Sequence, residues 1–368
     1  MTDASTRTWI GYDVFGERLF RRAVTAERIT TALQAVAGRS LKVGPITIGI
    51  AGIVAEARSG EPIVLGRHGD EVAFDVEFPV AVHGAIRLLQ QIRVEASIDI
   101  DLVLHARAAA PLLIVMDIPR VGEDDLRISI KGEALGAAWE WLLDPISQLL
   151  RGEVARWLNA VLSDPATVRR RVFDVAALID EREPDGVPDR NFDWISYGEF
   201  GRRFFRHAVT GARVAAAIAD LDGRTIEIAP MKAGPRDLAT VSATGVVQRP
   251  RVATRPQTEL VEFDVELPVD LDLVIALGVE NHYKADILVK LRLVTRAADE
   301  LLVVVDVPAV TAKDIEIDLQ SKSLSATVLG IVGGVKDQIR ERIVAVVNEE
   351  LADAGARTVD VGERVDQA

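Results

Sequence analysis

Apolar and polar residues alternate along two stretches of the chain. Val94, Ala96, Ile98, Ile100, Leu102 and Leu104 are interleaved with Glu95, Ser97, Asp99 and Asp101. Ala285, Ile287, Val289, Leu291 and Leu293 are interleaved with Asp286, Lys290 and Arg292. A period of two predicts antiparallel strands with one apolar and one wet face. Segments 45–57, 71–83, 111–118 and 125–131 are also strand-like and have counterparts in the second half. Pro79, Pro268, Pro119 and Pro308 belong at strand ends or bulges, because proline has no N–H for a ladder.

Elsewhere the spacing becomes helical. Phe15, Leu19 and Ala23, and later Phe200, Phe204 and Ala208, predict an opening helix in each half, ended by Gly38 and Gly223. Ile146, Leu150, Val154, Leu158 and Leu162 step by four, as do Val335, Ile339, Ile343, Val347 and Leu351. Each set predicts a long closing helix, with Asp144 as the first one's N-cap and Pro145 at its first position. At about 100° per residue a step of four overshoots one turn, so the stripe winds slowly around the helix. A helix enclosed by a curling sheet calls for such winding, whereas one lying flat on a sheet does not.

The halves are copies. Trp9-Ile10-Gly11-Tyr12 recurs as Trp194-Ile195-Ser196-Tyr197, and Phe74–Val80 as Phe263–Val269. Leu112–Pro119 recurs as Leu301–Pro308; Asn159, Leu162 and Asp164 recur as Asn348, Leu351 and Asp353. A near-constant offset decides the organisation ahead of any local feature. Two repeats are expected, at 8–180 and 193–368, joined by a polar Pro- and Gly-containing linker over 181–192.

The expected fold is therefore α+β, with an opening helix, a curved antiparallel sheet of about five strands wrapped around a long closing helix, and the whole repeated in tandem. This layout resembles the tubular lipid-binding superfamily, which contains bactericidal/permeability-increasing-like proteins and synaptotagmin-like mitochondrial lipid-binding domains. The resemblance extends over nearly the whole chain and rests on layout and duplication. It implies an apolar channel for acyl chains between sheet and helix. The chain departs from secreted members in lacking a signal layout at its start and a cysteine pair.

Composition narrows the chemistry. The 368 residues include no Cys, which excludes disulfides and thiolate chemistry, and the net charge of −13 disfavours nucleic acid. Eight of the 43 basic residues are Lys, an arginine bias typical of GC-rich bacterial genomes. The polar N-terminus and the lack of a 20-residue apolar run make the cytoplasm the expected location.

No catalytic constellation stands out. None of the five His falls in a ligand spacing, and nucleophile-elbow and P-loop patterns are missing. His105 reads as a strand-end residue, and Asp117 and Asp306 as turn acceptors in matched Asp-x-Pro positions. Gly330, Gly333 and Gly334 predict a turn that starts the last helix. No metal, cofactor or enzymatic activity is expected. The expected partner is a lipid or other apolar small molecule, lined by Ile98, Ile100, Leu102, Val154 and Leu158 in one repeat. Ile287, Val289, Leu291, Ile343 and Val347 would line the other. Arg21, Arg22, Arg203 and Arg206, beside phenylalanines on the opening helices, are candidates for headgroup or transient membrane contact. A homo-oligomer is a further candidate partner. The alternatives are a tandem scaffold with dry cores and, last, an enzyme built on a helix-grip fold.

Overall fold

The computed structural model describes residues 7–34, 40–48, 51–87, 91–132, 140–184, 191–233, 239–256, 258–276, 280–320, 326–352 and 357–367. The first repeat runs β1 (Trp9–Ile10), α1 (Tyr12–Ala23), α2 (Ala26–Gln34), β2 (Ser40–Ile48), β3 (Ala51–Ser59) and β4 (Ile63–Gly66). It continues with β5 (Val72–Arg87), β6 (Gln91–Ala109), β7 (Leu113–Asp117), β8 (Leu126–Gly132), α3 (Glu140–Leu162), α4 (Pro165–Arg169), β9 (Val172–Asp174) and α5 (Val175–Ile179). The second repeats this order with β10 (Trp194–Ile195), α6 (Tyr197–Ala208), α7 (Gly211–Ala217), β11 (Thr225–Ala233), β12 (Ala239–Val247) and β13 (Arg251–Thr254). Then follow β14 (Glu262–Ala276), β15 (Glu280–Ala298), β16 (Leu302–Asp306), β17 (Ile315–Gln320), α8 (Ala326–Glu350), β18 (Thr358–Asp360) and α9 (Val361–Gln367).

Each repeat builds an antiparallel sheet on a long hairpin, β5–β6 or β14–β15. The orders match: β2-β3-β5-β6-β7-β9 in one and β11-β12-β14-β15-β16-β18 in the other. Along β15 the odd-numbered residues from Ala285 to Ala297 are buried or half-buried, as the alternation predicts. The helix α8 touches both β11 and β17. Those strands lie four steps apart on the path β11-β12-β14-β15-β17. Laid flat, they would be about 19 Å apart at ~4.8 Å per strand, wider than a helix of ~10–12 Å. The sheet must curl for one helix to reach both.

Leaders complicate the division. The chain separates into two compact units, Gly16–Gly201 (the β6 unit) and Met1–Phe15 with Arg202–Ala368 (the β15 unit). The first repeat's β1 thus pairs with β15, Trp9 opposite Ala298, and the second repeat's β10 pairs with β6, Trp194 opposite Ala109. Both leaders are held alike. Arg296 lies 4.0 Å over the Trp9 ring and Arg107 lies 3.9 Å over Trp194. Tyr12 Oη donates to the Thr295 carbonyl at 2.7 Å and accepts from the Val261 amide at 3.2 Å. Tyr197 Oη does the same with the Ala106 carbonyl (2.6 Å) and the Val72 amide (3.1 Å). Tyr12 stacks on Phe205, with Phe15 edge-on; in the β6 unit Tyr197 stacks on Phe20, with Phe200 edge-on. Within that unit Gly16 permits a close approach of backbones: a Cβ there would stand 2.0 Å from the Tyr197 carbonyl oxygen.

Repeated polar residues turn out to be clamps and caps. The Asn159 amide grips both backbone groups of Val121, and Asn348 grips both of Val310, tying each closing helix to the loop beside it. Arg171 Nη2 donates to the Leu162 carbonyl at the end of α3, and Arg357 does so to Leu351. Asp174 caps α5 through the Ala177 amide.

Several local expectations are corrected. α3 is already helical at Glu140, so Asp144 is no N-cap and Pro145 lies inside the helix. α8 begins at Ala326, so Gly330, Gly333 and Gly334 are helical residues, not a starting turn. Glycine's poor helix propensity makes a break the expectation there. Each opening helix is split in two, at Val24-Thr25 and Val209-Thr210, where Thr210 caps α7. Gly223, at φ +79°, follows a short 3₁₀ turn; Gly38 lies outside the described residues.

Candidate functional site

In the β6 unit, the inner face of β5 and β6 meets one face of α3. Ile98 and Ile100 are buried, and Phe78, Val80, Val82, Leu102, Val154 and Leu158 pack on them half-buried. All five residues expected to line this repeat's channel fall in that cluster.

In the β15 unit, Ile287 and Val289 are buried in a larger cluster that Leu291, Ile343 and Val347 join half-buried. Leu102, Val154 and Leu158 are half-buried like their counterparts Leu291, Ile343 and Val347, but three other matched positions differ in closure. Val80 and Val82 are half-buried, whereas their counterparts Val269 and Leu271 are 7% and 3% exposed. Leu150 is half-buried, whereas its counterpart Ile339 is 1% exposed. A groove of about 290 Å³ runs along β14, β15 and β17, lined by Arg251, Asp286, Glu316 and Asp318 together with Ile287 and Ile317 of the apolar cluster.

The stripe of fours leaves out one feature of the closing helices. Residues 151, 154, 155 and 158 share a helical face at about 100° per residue, and the first of them is Arg151. Its counterpart is Arg340. Arg340 Nε donates to the Ile315 carbonyl and Nη1 pairs with Asp337 at 2.7 Å. Arg151 Nε is buried with no partner, and among the described residues the side chain has no hydrogen bond or ion pair. The signal that finds it is a stripe traced at steps of three and four together, which puts a charge among apolar residues.

Several of the remaining polar candidates are paired within the chain. Asp117 pairs with Arg107 (3.1 Å) and Asp306 with Arg296 (3.6 Å), each Arg being the one beneath a leader Trp. His105 lies within β6, its Nδ1 3.4 Å from Glu71. Arg21 is held by Glu17 (3.0 Å) and the Gly69 carbonyl (2.8 Å). Arg22 and Arg206 are exposed and Arg203 is half-buried. Burial pushes the Tyr12 phenol up to about 12 and raises that of Tyr197. Among the described residues no group of three or more His, Asp or Glu is placed to hold a metal, and no helix is long and apolar enough to cross a membrane.

The fold and this face define an α+β protein of two curled antiparallel sheets, each with a long helix against its apolar side. No family model matches the chain, and no curated protein matches it. Among solved structures, it is similar to a lipopolysaccharide binding protein at 10% identity and a TM-score of 0.31, covering 91% of this chain and 89% of that one. P47 of Clostridium botulinum E1 follows at 8% identity and a TM-score of 0.26, covering 92% and 88%. P47 from Clostridium botulinum A2 gives 8%, 0.25, and coverage of 91% and 86%.

Proposed function

We propose that this chain binds a lipid or another long apolar molecule, without transforming it, against the inner face of the β6 unit. The observation that carries the reading is the incomplete closure of that face. Val80, Val82, Leu102, Val154 and Leu158 cluster with buried Ile98 and Ile100, yet remain half-buried. Apolar surface left within reach of water costs about 25 cal/mol per Å² relative to covering it, and an acyl chain would cover it. The β15 unit favours the second reading, a dry core with a scaffolding role, at the positions of Val269, Leu271 and Ile339, which are shut, while Leu291, Ile343 and Val347 are half-buried as in the other unit. Transfer between membranes, with docking through Arg21, Arg22, Arg203 or Arg206, would be an extension of the first reading.

The test is native mass spectrometry of the purified full-length chain together with titration by a fluorescent fatty acid. One lipid-sized adduct per chain and saturable uptake are expected. Finding neither would overturn the proposal, and two ligands per chain would extend it to the β15 unit.

A further inference from the structure

We infer that the ligand of the β6 unit carries an anionic group, a carboxylate or a phosphate, and that Arg151 is its counter-ion. This rests on the lipid reading above and specifies the ligand's chemistry. Arg151 lies on the face of α3 that also carries Val154, Ala155 and Leu158, all members of the apolar cluster. Arg151 as a whole is half-buried, and its Nε is the buried donor left unmet, which forfeits the hydrogen bond it had in water.

The second repeat shows how the chain meets that demand internally. Arg340 has Asp337 one turn earlier on the same helix and the Ile315 carbonyl at the start of β17. In the first repeat the position of Asp337 holds Gln148 and that of Ile315 holds Leu126. The first repeat thus keeps the cation at this position without an acidic residue one turn before it. Glu123 carries its carboxylate beside Gly152, 3.2 Å from where a Cβ would stand, yet makes no bond to Arg151 among the described residues.

Other orphaned buried atoms do not make the same demand. Arg171 Nε belongs to a guanidinium already bonded to the Leu162 and Met116 carbonyls. Thr295 Oγ1 and Gln338 Oε1 are neutral. Among these orphaned atoms, Arg151 Nε alone belongs to a charged group on an apolar face that has no hydrogen bond or ion pair among the described residues. An amphiphile lying along Val154 and Leu158 with its anionic end toward Arg151 satisfies both at once, and a bidentate pair of this kind is strong.

The experiment uses the delipidated full-length chain and three probes of equal acyl length: a fatty acid, its methyl ester, and a monoacyl glycerol phosphate. The wild type is expected to bind an anionic probe at least tenfold more tightly than the ester. Preference for the fatty acid identifies a carboxylate, and preference for the phosphate a phospholipid-type head. Arg151→Gln should remove that preference and leave ester binding unchanged, Arg151→Lys should restore part of it, and Arg340→Gln should change nothing. Gln148→Asp, which supplies the in-chain partner of the other repeat, should weaken the anionic probe as Arg151→Gln does. Equal binding of acid, phosphate and ester by the wild type would overturn the role of Arg151 while leaving the lipid reading standing. Absence of binding by all three would overturn both.

Discussion

The two units are built from copies of one sequence and share strand order, leader contacts and helix clamps, yet they differ in how completely they are shut. In the β15 unit Leu271, Leu273 and Ile339 are at most 3% exposed, and Arg340 is paired within the chain. In the β6 unit Val82, Gly84 and Leu150 occupy those positions, half-buried, and Arg151 is unpaired among the described residues. On the inner wall of β5 the β6 unit has Val82 and Gly84 where the β15 unit has Leu271 and Leu273, and it has Gln148 where the other has Asp337. Smaller lining and the absence of that acidic residue occur in the same unit, which is the unit to which the proposed ligand is assigned.

The comparison breaks most readily at the matched helix positions. Ile339→Ala should destabilise the protein by about 2–5 kcal/mol, the range for emptying a well-packed aliphatic site. Leu150→Ala, at a half-buried site, should cost less than half as much. Urea melts of the two variants measure both, and equal costs would remove the asymmetry of closure.

Next in size is the inner wall. Val82→Trp should fill the open face and weaken fatty-acid uptake at least tenfold, about 1.4 kcal/mol, with little change in stability. Leu271→Trp should instead overpack a closed core, costing about 1–3 kcal/mol of stability and leaving uptake intact. Fluorescent ligand titration and thermal melts on the same samples separate the two outcomes. Uptake lost in Leu271→Trp alone would place the ligand in the other unit.

The leader tyrosines should behave as equals. Tyr12→Phe and Tyr197→Phe each leave one carbonyl and one amide without the hydroxyl that joins them, at a cost of about 1–3 kcal/mol. In the folded state burial favours the neutral phenol of Tyr12, whose titration is pushed up to about 12, above the ordinary value near 10. That contribution is full below about pH 10 and is lost as the pH rises from there through about 12. Tyr12→Phe should therefore flatten the alkaline fall in stability, measured by denaturant midpoints between pH 9 and 12.

How much of this is legible in the sequence depends on the range of the interaction. Alternation from Ile98 to Leu102 and the four-step of Val154 and Leu158 are local, and they suffice to locate the apolar faces. The duplication fixes the equivalence of the sheets because it compares distant segments directly. Leader exchange cannot be read this way: Trp9-Ile10-Gly11-Tyr12 resembles Trp194-Ile195-Ser196-Tyr197 equally well whichever sheet holds it. The helix starts depart from expectation at Pro145 and Gly330 because propensity is a local preference that a longer helix can override. Arg151 is inconspicuous in the sequence because a charge within a stripe gains meaning only when its counterpart's partner, Asp337, is known.

The smallest effect concerns a hydroxyl. Thr295 is fully buried on the inner face of β15, its Oγ1 has no partner among the described residues, and the first repeat has Ala106 in its place. The Tyr12 hydrogen bond goes to the Thr295 carbonyl and not to this side chain, so the leader does not depend on the Oγ1. Thr295→Val keeps the branched shape that suits a strand and exchanges only the hydroxyl for a methyl. It should stabilise the protein by up to about 1 kcal/mol, the lower end of the cost of a buried unsatisfied group. A gain in the denaturant midpoint at unchanged slope would show that the β15 unit is closed by apolar packing and gains nothing from the hydroxyl. A loss of stability would instead mean that the hydroxyl has a partner in solution, such as a buried water, and that this unit too has room inside.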